Sequence, residues 1–171
     1  MKKLEDYIRS IPDFPQPGIV FKDLTPLLNH PAAYQEAIRS LLSYTEKLSI
    51  DKVVGIESRG FIFGALLADR LEAGFVPVRK KGKLPAKTIQ QGYALEYGNN
   101  ILEIHEDAIQ PGEKVLVHDD LLATGGTASA TCQLVKQLGG EILQVSFLIE
   151  LTFLKGRDCL SAYPVTSVIS Y

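Results

Sequence analysis

The strongest chemical signal in the sequence is an acidic pair followed by a threonine- and glycine-rich turn, in the run 115–127 (VLVHDDLLATGGT). Glycines in the turn let backbone N–H groups approach an anion closely, and the hydroxyls of Thr124 and Thr127 add donors. A helix that begins directly after the turn would direct the positive end of its dipole at the same place. The turn therefore predicts a site for a phosphate monoester.

The acidic pair, Asp119 and Asp120, requires a different partner from the turn. Two adjacent carboxylates repel a phosphate, whereas they bind hydroxyl groups or a metal ion well. A sugar phosphate with two free hydroxyls suits both parts of the run, with its phosphate on the turn and its diol on the acids. The run lacks the lysine of a Walker A loop and the GxGxxG spacing of a dinucleotide-binding turn, so neither of those ligands is predicted.

Two charged stretches could meet further anionic groups of such a substrate. Residues 57–60 (ESRG) follow a short apolar segment and offer the hydroxyl of Ser58 and the guanidinium of Arg59. Residues 79–92 (RKKGKLPAKTIQQG) are basic and polar. By residue type alone, both stretches are also compatible with solvated surface charge.

A proline-rich segment lies near the N-terminus, at residues 14–23 (FPQPGIVFKD). Proline restricts the backbone, so the segment could hold Val20 and Phe21 at fixed positions against a flat apolar ring. An ordinary loop with Phe21 in the core is the alternative interpretation. The segment predicts a ring-binding contact only in combination with the sugar-phosphate site.

The elements that must position these residues alternate between strands and helices through the middle of the chain. Hydrophobic periodicity predicts helices over 2–11, 31–48, 61–73 and 126–138, and strands over 52–56, 75–78, 114–118, 142–149 and 165–169. Residues 93–97 and 101–105 are predicted to form a hairpin. The alternation indicates an α/β fold with a mainly parallel sheet flanked by helices, in which ligands bind at the carboxyl ends of strands.

The composition excludes several classes of protein. The chain has 171 residues, enough for one domain, and its net charge of −2 gives no reason to expect nucleic-acid binding. The apolar runs are too short to span a membrane, and the N-terminus lacks the apolar core of a signal peptide. Cys132 and Cys159 have neither metal-type spacing nor the number that a disulfide framework needs, so we expect a cytoplasmic protein.

The run 115–127 resembles the 5-phosphoribosyl-1-pyrophosphate (PRPP) motif of the type I phosphoribosyltransferases, and its DDLLATGGT form resembles the adenine branch of that family. Three other stretches resemble the base-covering segment, the pyrophosphate loop and the flexible catalytic loop of the same enzymes: residues 14–23, residues 55–60 (GIESRG), and residues 79–85 together with 93–97. The resemblance implies the type I phosphoribosyltransferase fold, in a single domain over 1–171 with a small hood at 1–30 and a flexible catalytic loop at 79–100. It also implies purine salvage, in which adenine and PRPP give AMP and pyrophosphate.

The resemblance assigns roles to individual residues. Glu96 would handle the proton at the purine imidazole ring, and a cis non-proline peptide is expected at Ser58–Arg59. The pyrophosphate would be met by Arg59, Arg79 and Lys83. The residues implied to enclose adenine are Val20, Phe21 and Leu121. The residues implied to bind PRPP or AMP are Ser58, Arg79, Asp119, Asp120, Ala123, Thr124, Gly125, Gly126 and Thr127.

The resemblance further implies Mg²⁺ as the cofactor, held mainly by substrate and water rather than by direct protein ligands, and a homodimer. His118 stands where an aliphatic residue is usual, so it either touches the site or packs in the core. Two other functions remain open. A hypoxanthine-guanine or xanthine phosphoribosyltransferase would share the acidic pair and TGGT, and a non-catalytic regulator could use the same fold to sense PRPP.

Overall fold

A computed structural model describes residues 2–94 and 99–171, and in these residues seven strands form one mixed sheet while two form a separate hairpin. The strands are β1 (Arg9–Pro12), β2 (Val20–Asp23), β3 (Lys52–Ile56), β4 (Gly74–Lys80), β5 (Thr88–Ala94), β6 (Asn99–His105), β7 (Lys114–Leu122), β8 (Glu141–Glu150) and β9 (Val165–Ser170). The helices are α1 (Thr25–Leu28), α2 (Pro31–Ser43), α3 (Gly60–Arg70) and α4 (Gly126–Gln137). Short 3₁₀ turns occupy Leu4–Tyr7, Thr152–Leu154 and Gly156–Leu160.

The large sheet has the strand order β5-β6-β4-β3-β7-β8-β9. Strands β4, β3, β7, β8 and β9 run parallel, whereas β6 pairs antiparallel with both β4 and β5. Because β3 and β7 are adjacent and parallel at the centre, their carboxyl ends open at the same edge of the sheet. The predicted mainly parallel α/β fold is confirmed.

Helices cover both faces of this sheet. Successive side chains of a strand point to opposite faces, so on β7 Val115 and Val117 pack into the cluster that includes α4, whereas Leu116 packs into the cluster that includes α2 and α3. These residues and their counterparts on β3 and β8 are completely buried. The core therefore consists of two apolar layers separated by the sheet, which holds β3 and β7 rigidly beneath the site.

Several predicted elements differ from the structure in type or bounds. The helix predicted over 61–73 ends at Arg70. The hairpin strand predicted over 93–97 lies earlier in the sequence, because β5 spans Thr88–Ala94, and residues 95–97 lie outside the described residues. The helix predicted over 2–11 is wrong, because residues 9–12 form β1, which pairs antiparallel with β2 and places Ile11 opposite Phe21. The helix predicted over 31–48 ends at Ser43. The strand predicted over 114–118 continues to Leu122, because β7 keeps its pairing with β8 as far as Glu150, and the acidic pair therefore lies inside the strand.

The described helices include none that is both long enough and apolar enough to cross a membrane.

Candidate active site

The phosphate turn, residues 124–127, connects β7 to α4 at the centre of the sheet edge. Gly125 has a φ of +84°, a conformation that a residue with a Cβ rarely adopts, and it forms the N-cap of α4. A small cavity of about 70 Å³ is lined by the turn together with Asp119, Ala123 and Phe147. The backbone N–H groups at the start of α4 and the helix dipole thus meet at a concave surface suited to an anion.

The phosphate turn packs against Gly156, a glycine from the C-terminal part of the chain. A Cβ on Gly125 would collide with the carbonyl oxygen of Gly156, and a Cβ on Gly156 would collide with the carbonyl oxygen of Ala123. The thiol of Cys159 donates to the carbonyl oxygen of Thr124 at 3.3 Å. The 3₁₀ turn Gly156–Leu160 therefore packs directly against the back of the phosphate turn.

The acidic pair lies beside the cavity at the end of β7. Asp119 is half-buried, and its carboxylate accepts the N–H of Asp120 at 2.9 Å. Burial and the neighbouring Asp120 charge raise the pKa of Asp119 well above its usual range, against a smaller opposing effect of Arg59. A Cβ on Gly60 would lie 2.8 Å from an Asp119 oxygen, so the glycine at the start of α3 leaves room for this side chain.

Arg59 joins the loop after β3 to the acidic pair on β7. Its Nε donates to the buried carboxylate of Asp120 at 2.5 Å, and its guanidinium lies 5.2 Å from the centre of the Phe21 ring. The structure therefore brings together three predicted site residues that are far apart in sequence. The cis non-proline peptide is Glu57–Ser58, so its predicted position at Ser58–Arg59 is wrong by one bond.

A second charged cluster occupies the other side of the same loop. Glu57 accepts from Lys83 Nζ at 2.5 Å and from the N–H of Lys80 at 3.0 Å, and its other contact is the Arg79 guanidinium at 3.4 Å. Burial opposes ionisation of Glu57, but these hydrogen bonds outweigh it and lower the pKa of the carboxyl to about 2. Arg79 and Lys83, both predicted to meet pyrophosphate, are thus held next to the Glu57–Ser58 peptide.

The predicted base-binding residues lie on two different elements. Phe21 is on β2, where its ring packs edge to face against Phe14, with ring centres 5.2 Å apart. Val20 is 50% exposed and Leu121 is half-buried on β7. The contact between Arg59 and Phe21 brings the β1–β2 hairpin to the edge of the acidic site.

Comparison with known proteins agrees with this geometry. Residues 23–157 match the model of the phosphoribosyl transferase domain. Over 169 residues, the chain is 57% identical to the adenine phosphoribosyltransferase of Christiangramia forsetii, with 99% of each chain covered. The chain belongs to the adenine phosphoribosyltransferase family.

Solved structures give the same result. The adenine phosphoribosyltransferase of Rhodothermus marinus superposes with a TM-score of 0.94 at 56% identity, covering 98% of this chain and 96% of that one. The enzyme of Saccharomyces cerevisiae, crystallised with an imino-altritol bisphosphate and adenine, superposes with a TM-score of 0.91 at 43% identity, covering 96% of each chain. The predicted type I phosphoribosyltransferase fold and adenine phosphoribosyltransferase function are confirmed.

His118 is completely buried in the core. Its Nδ1 lies 2.9 Å from the hydroxyl of Ser146, and its ring packs against Phe63. Burial, only partly offset by the hydrogen bond with Ser146, lowers the pKa of His118 to about 3. The imidazole is therefore neutral at physiological pH and packs rather than reaching the substrate.

Two further acids, Glu96 and Glu103, bear on the site. Glu96, the predicted proton carrier of the adenine phosphoribosyltransferases, lies outside the described residues, and its role stays a prediction. Glu103 was not predicted to belong to the site, although it is almost completely buried beside the basic turn 81–87 between β4 and β5. The local sequence ILEIH does not indicate that its central acid is buried, because the hydrogen-bond donors come from the turn between β4 and β5.

Proposed function

We propose that this chain transfers the 5-phosphoribosyl group of PRPP to N9 of adenine, forming AMP and releasing pyrophosphate. The observation that carries the proposal is the junction of β3 and β7. There the Arg59 guanidinium, just after β3, contacts Asp120 of the acidic pair on β7, which leads into the phosphate turn. This junction therefore presents groups suited to pyrophosphate, to a ribose diol and to a 5-phosphate.

The ribose 5-phosphate occupies the phosphate turn in this proposal. The backbone and hydroxyls of residues 124–127, with Ala123, bind the phosphate, and Asp119 and Asp120 accept hydrogen bonds from the ribose hydroxyls. As the bond from C1 to pyrophosphate lengthens, the sugar gains oxocarbenium character. The negative charge of the acidic pair stabilises this cation in a partly buried site.

The pyrophosphate binds on the opposite side of the sugar. Ser58, Arg59, Arg79 and Lys83 contribute a hydroxyl and three cationic groups that neutralise its charge as it leaves. Within the protein Arg59 is paired with Asp120, and Lys83 is paired with Glu57. Pyrophosphate binding therefore replaces internal carboxylate partners with phosphate oxygens.

Adenine lies between the hairpin and β7, enclosed by Val20, Phe21 and Leu121. The half-exposed Val20 and the Phe14–Phe21 pair offer an apolar surface for a flat ring. Glu96 handles the imidazole proton as N9 attacks C1. In this proposal the hood at 1–30 covers the base and the loop at 79–100 closes over the pyrophosphate to exclude water.

Mg²⁺ fits the donor set of the site, because the two adjacent carboxylates of Asp119 and Asp120 present the oxygen ligands that this ion prefers. Asp119 and Asp120 would help to hold the ion through bound substrate and water rather than as direct ligands. When bound, it neutralises pyrophosphate and makes it a better leaving group.

The homodimer and the cytoplasmic location are also part of the proposal. Both cysteines of the chain are free, as a reducing compartment would maintain them. Sedimentation of the purified protein at several concentrations measures the oligomeric state. A species that remains at the monomer mass across the range would refute the dimer.

The experiment that tests the proposed function measures AMP formation from PRPP, Mg²⁺ and each purine base in turn. Wild-type protein should use adenine, and Asp119→Asn combined with Asp120→Asn should lower turnover about a hundredfold or more, since the acids stabilise the developing cation. Asp107→Asn, an exposed acid, is the matched control. Near-normal turnover in a folded double variant would remove the acidic pair from the mechanism.

A further inference from the structure

Glu103 is a buried acid at the centre of β6, opposite Arg79 on β4 and Gln90 on β5. Its exposed fraction is 3%, yet among the described residues its carboxylate forms no ion pair with a lysine or arginine side chain. A buried carboxylate is costly unless hydrogen bonds replace its water. The hydrogen-bond partners of Glu103 therefore indicate which segment it stabilises.

Those partners belong to the turn that connects β4 to β5. One oxygen of Glu103 accepts the N–H of Lys83 at 3.0 Å and the N–H of Leu84 at 3.1 Å, while the other lies 3.4 Å from the hydroxyl of Thr88. Burial works against the charge of Glu103, but hydrogen bonds from the N–H groups of Leu84, Gly82 and Lys83 and from Thr88 hold its pKa below the usual range. The carboxylate thus remains charged and anchors the turn by its backbone.

The anchored turn carries the basic groups of the pyrophosphate side. The carbonyl oxygen of Lys83 accepts a hydrogen bond from the Arg79 guanidinium at 3.1 Å, and the Lys83 ammonium reaches across to Glu57. Two acids therefore hold the turn in different ways. Glu57 contacts its cationic side chains, which must change partners to bind a substrate, whereas Glu103 contacts its backbone N–H groups, which need not change partners.

We propose that Glu103 is a positioning residue for PRPP, which fixes the backbone of the turn 81–87 so that Lys83 and Arg79 meet the pyrophosphate group. The inference rests on the proposed role of Lys83 and Arg79 at pyrophosphate. Glu103 itself touches neither substrate. It acts through the turn, so its loss weakens the binding of PRPP and leaves the binding of adenine unchanged.

The test compares steady-state kinetics of wild type, Glu103→Gln and Glu103→Ala. The amide keeps one acceptor oxygen for the two N–H groups but loses the charge, so the KM for PRPP should rise in the order Glu, Gln, Ala. The rise for Ala should be about tenfold to a hundredfold, the range expected from losing hydrogen bonds to a charged group. The KM for adenine should not change. Glu106→Gln removes a nearby exposed charge and is the control.

A double-mutant cycle with Lys83→Met separates this inference from the proposed function. If Glu103 acts through the turn, Glu103→Gln should raise the KM for PRPP much less in the Lys83→Met background than in wild type. Additive effects, or equal rises in KM for PRPP and adenine, would overturn the positioning role. An unchanged KM for PRPP in Lys83→Met alone would instead refute the proposed role of Lys83 at pyrophosphate.

Discussion

Each cationic side chain proposed to meet pyrophosphate is paired with a carboxylate of the protein. Arg59 pairs with Asp120, and Arg79 and Lys83 contact Glu57. Such pairs keep flexible side chains in place, and they prevent several positive charges from repelling one another in a half-buried site. Binding of PRPP is therefore an exchange of anionic partners, in which the geometry of the cations is prepared in advance.

The carboxyls of Glu57 and Asp119 should affect stability with opposite signs. The pKa of Glu57 is lowered to about 2, so its charged form stabilises the fold. This contribution is complete above the unfolded-state pKa of about 4.3 and is lost as the pH falls towards 2. Glu57→Gln should therefore be less stable than wild type in urea at pH 7, and the difference should shrink at pH 3. A constant difference at the two pH values would contradict the ion-pair account.

Asp119→Asn should increase stability while it reduces activity. Burial and Asp120 raise the pKa of Asp119, so ionisation destabilises the fold as the pH rises from about 3.9 through the folded-state pKa. Asparagine keeps an oxygen for the Asp120 N–H without the charge. The variant should melt at a higher temperature than wild type at pH 8, with a smaller difference at pH 4. A lower melting temperature at pH 8 would show that the charge stabilises the fold.

At the scale of elements, the phosphate turn depends on two glycines 31 positions apart, Gly125 and Gly156. The segment that carries Gly156 is fixed by Arg157, which forms two hydrogen bonds of 2.7 Å with the buried carboxylate of Glu150 at the end of β8. β8 pairs with β7, which leads into the turn. The anion site is thus enclosed by the sheet on one side and by a braced 3₁₀ turn on the other.

Gly156→Ala should displace the phosphate turn. The added methyl group meets the Ala123 carbonyl oxygen and the Leu122 side chain, so the backbone must shift. We expect a loss of stability of about 1–3 kcal/mol, as for other overpacked sites, and a higher KM for PRPP with an unchanged KM for adenine. Thermal melts and steady-state kinetics measure the two effects. Ser161→Ala, an exposed position nearby, is the control, and equal kinetics for the two variants would refute the bracing role.

The sequence predicted the elements wherever local periodicity and tertiary packing agree. Strand β3 and helix α4 lie within a residue or two of their predicted bounds. The predicted first helix failed because pairing between β1 and β2, which local periodicity does not encode, decided the conformation of residues 9–12. The residue types of the run 115–127 predicted its chemistry. Gly156 and Glu103 could not be predicted in this way, because they act through contacts with segments distant in sequence.

At the scale of the whole molecule, the site lies at β3, where successive strands stop being added on one side of the sheet and are added on the other. From β3 the next strand, β4, is added on one side, whereas β7 and β8 extend the sheet on the other. Such a switch point leaves a crevice between two strand ends, because their connections to helices diverge. The hairpin of β1 and β2 and the basic turn after β4 reach this crevice from different parts of the chain, which gives one site separate surfaces for base and pyrophosphate.

Metal binding should be a property of the protein–substrate complex rather than of the protein alone. Asp120 is paired with Arg59, and Asp119 accepts the N–H of Asp120, so both carboxylates already have partners within the protein. We expect PRPP to increase the affinity for Mn²⁺, a magnetic probe for Mg²⁺, about tenfold or more, because its oxygens complete the coordination. Water-proton relaxation measures this affinity, with Mn²⁺ and PRPP without protein as the background. Equally tight Mn²⁺ binding without PRPP, or full turnover in EDTA, would contradict the expected coordination.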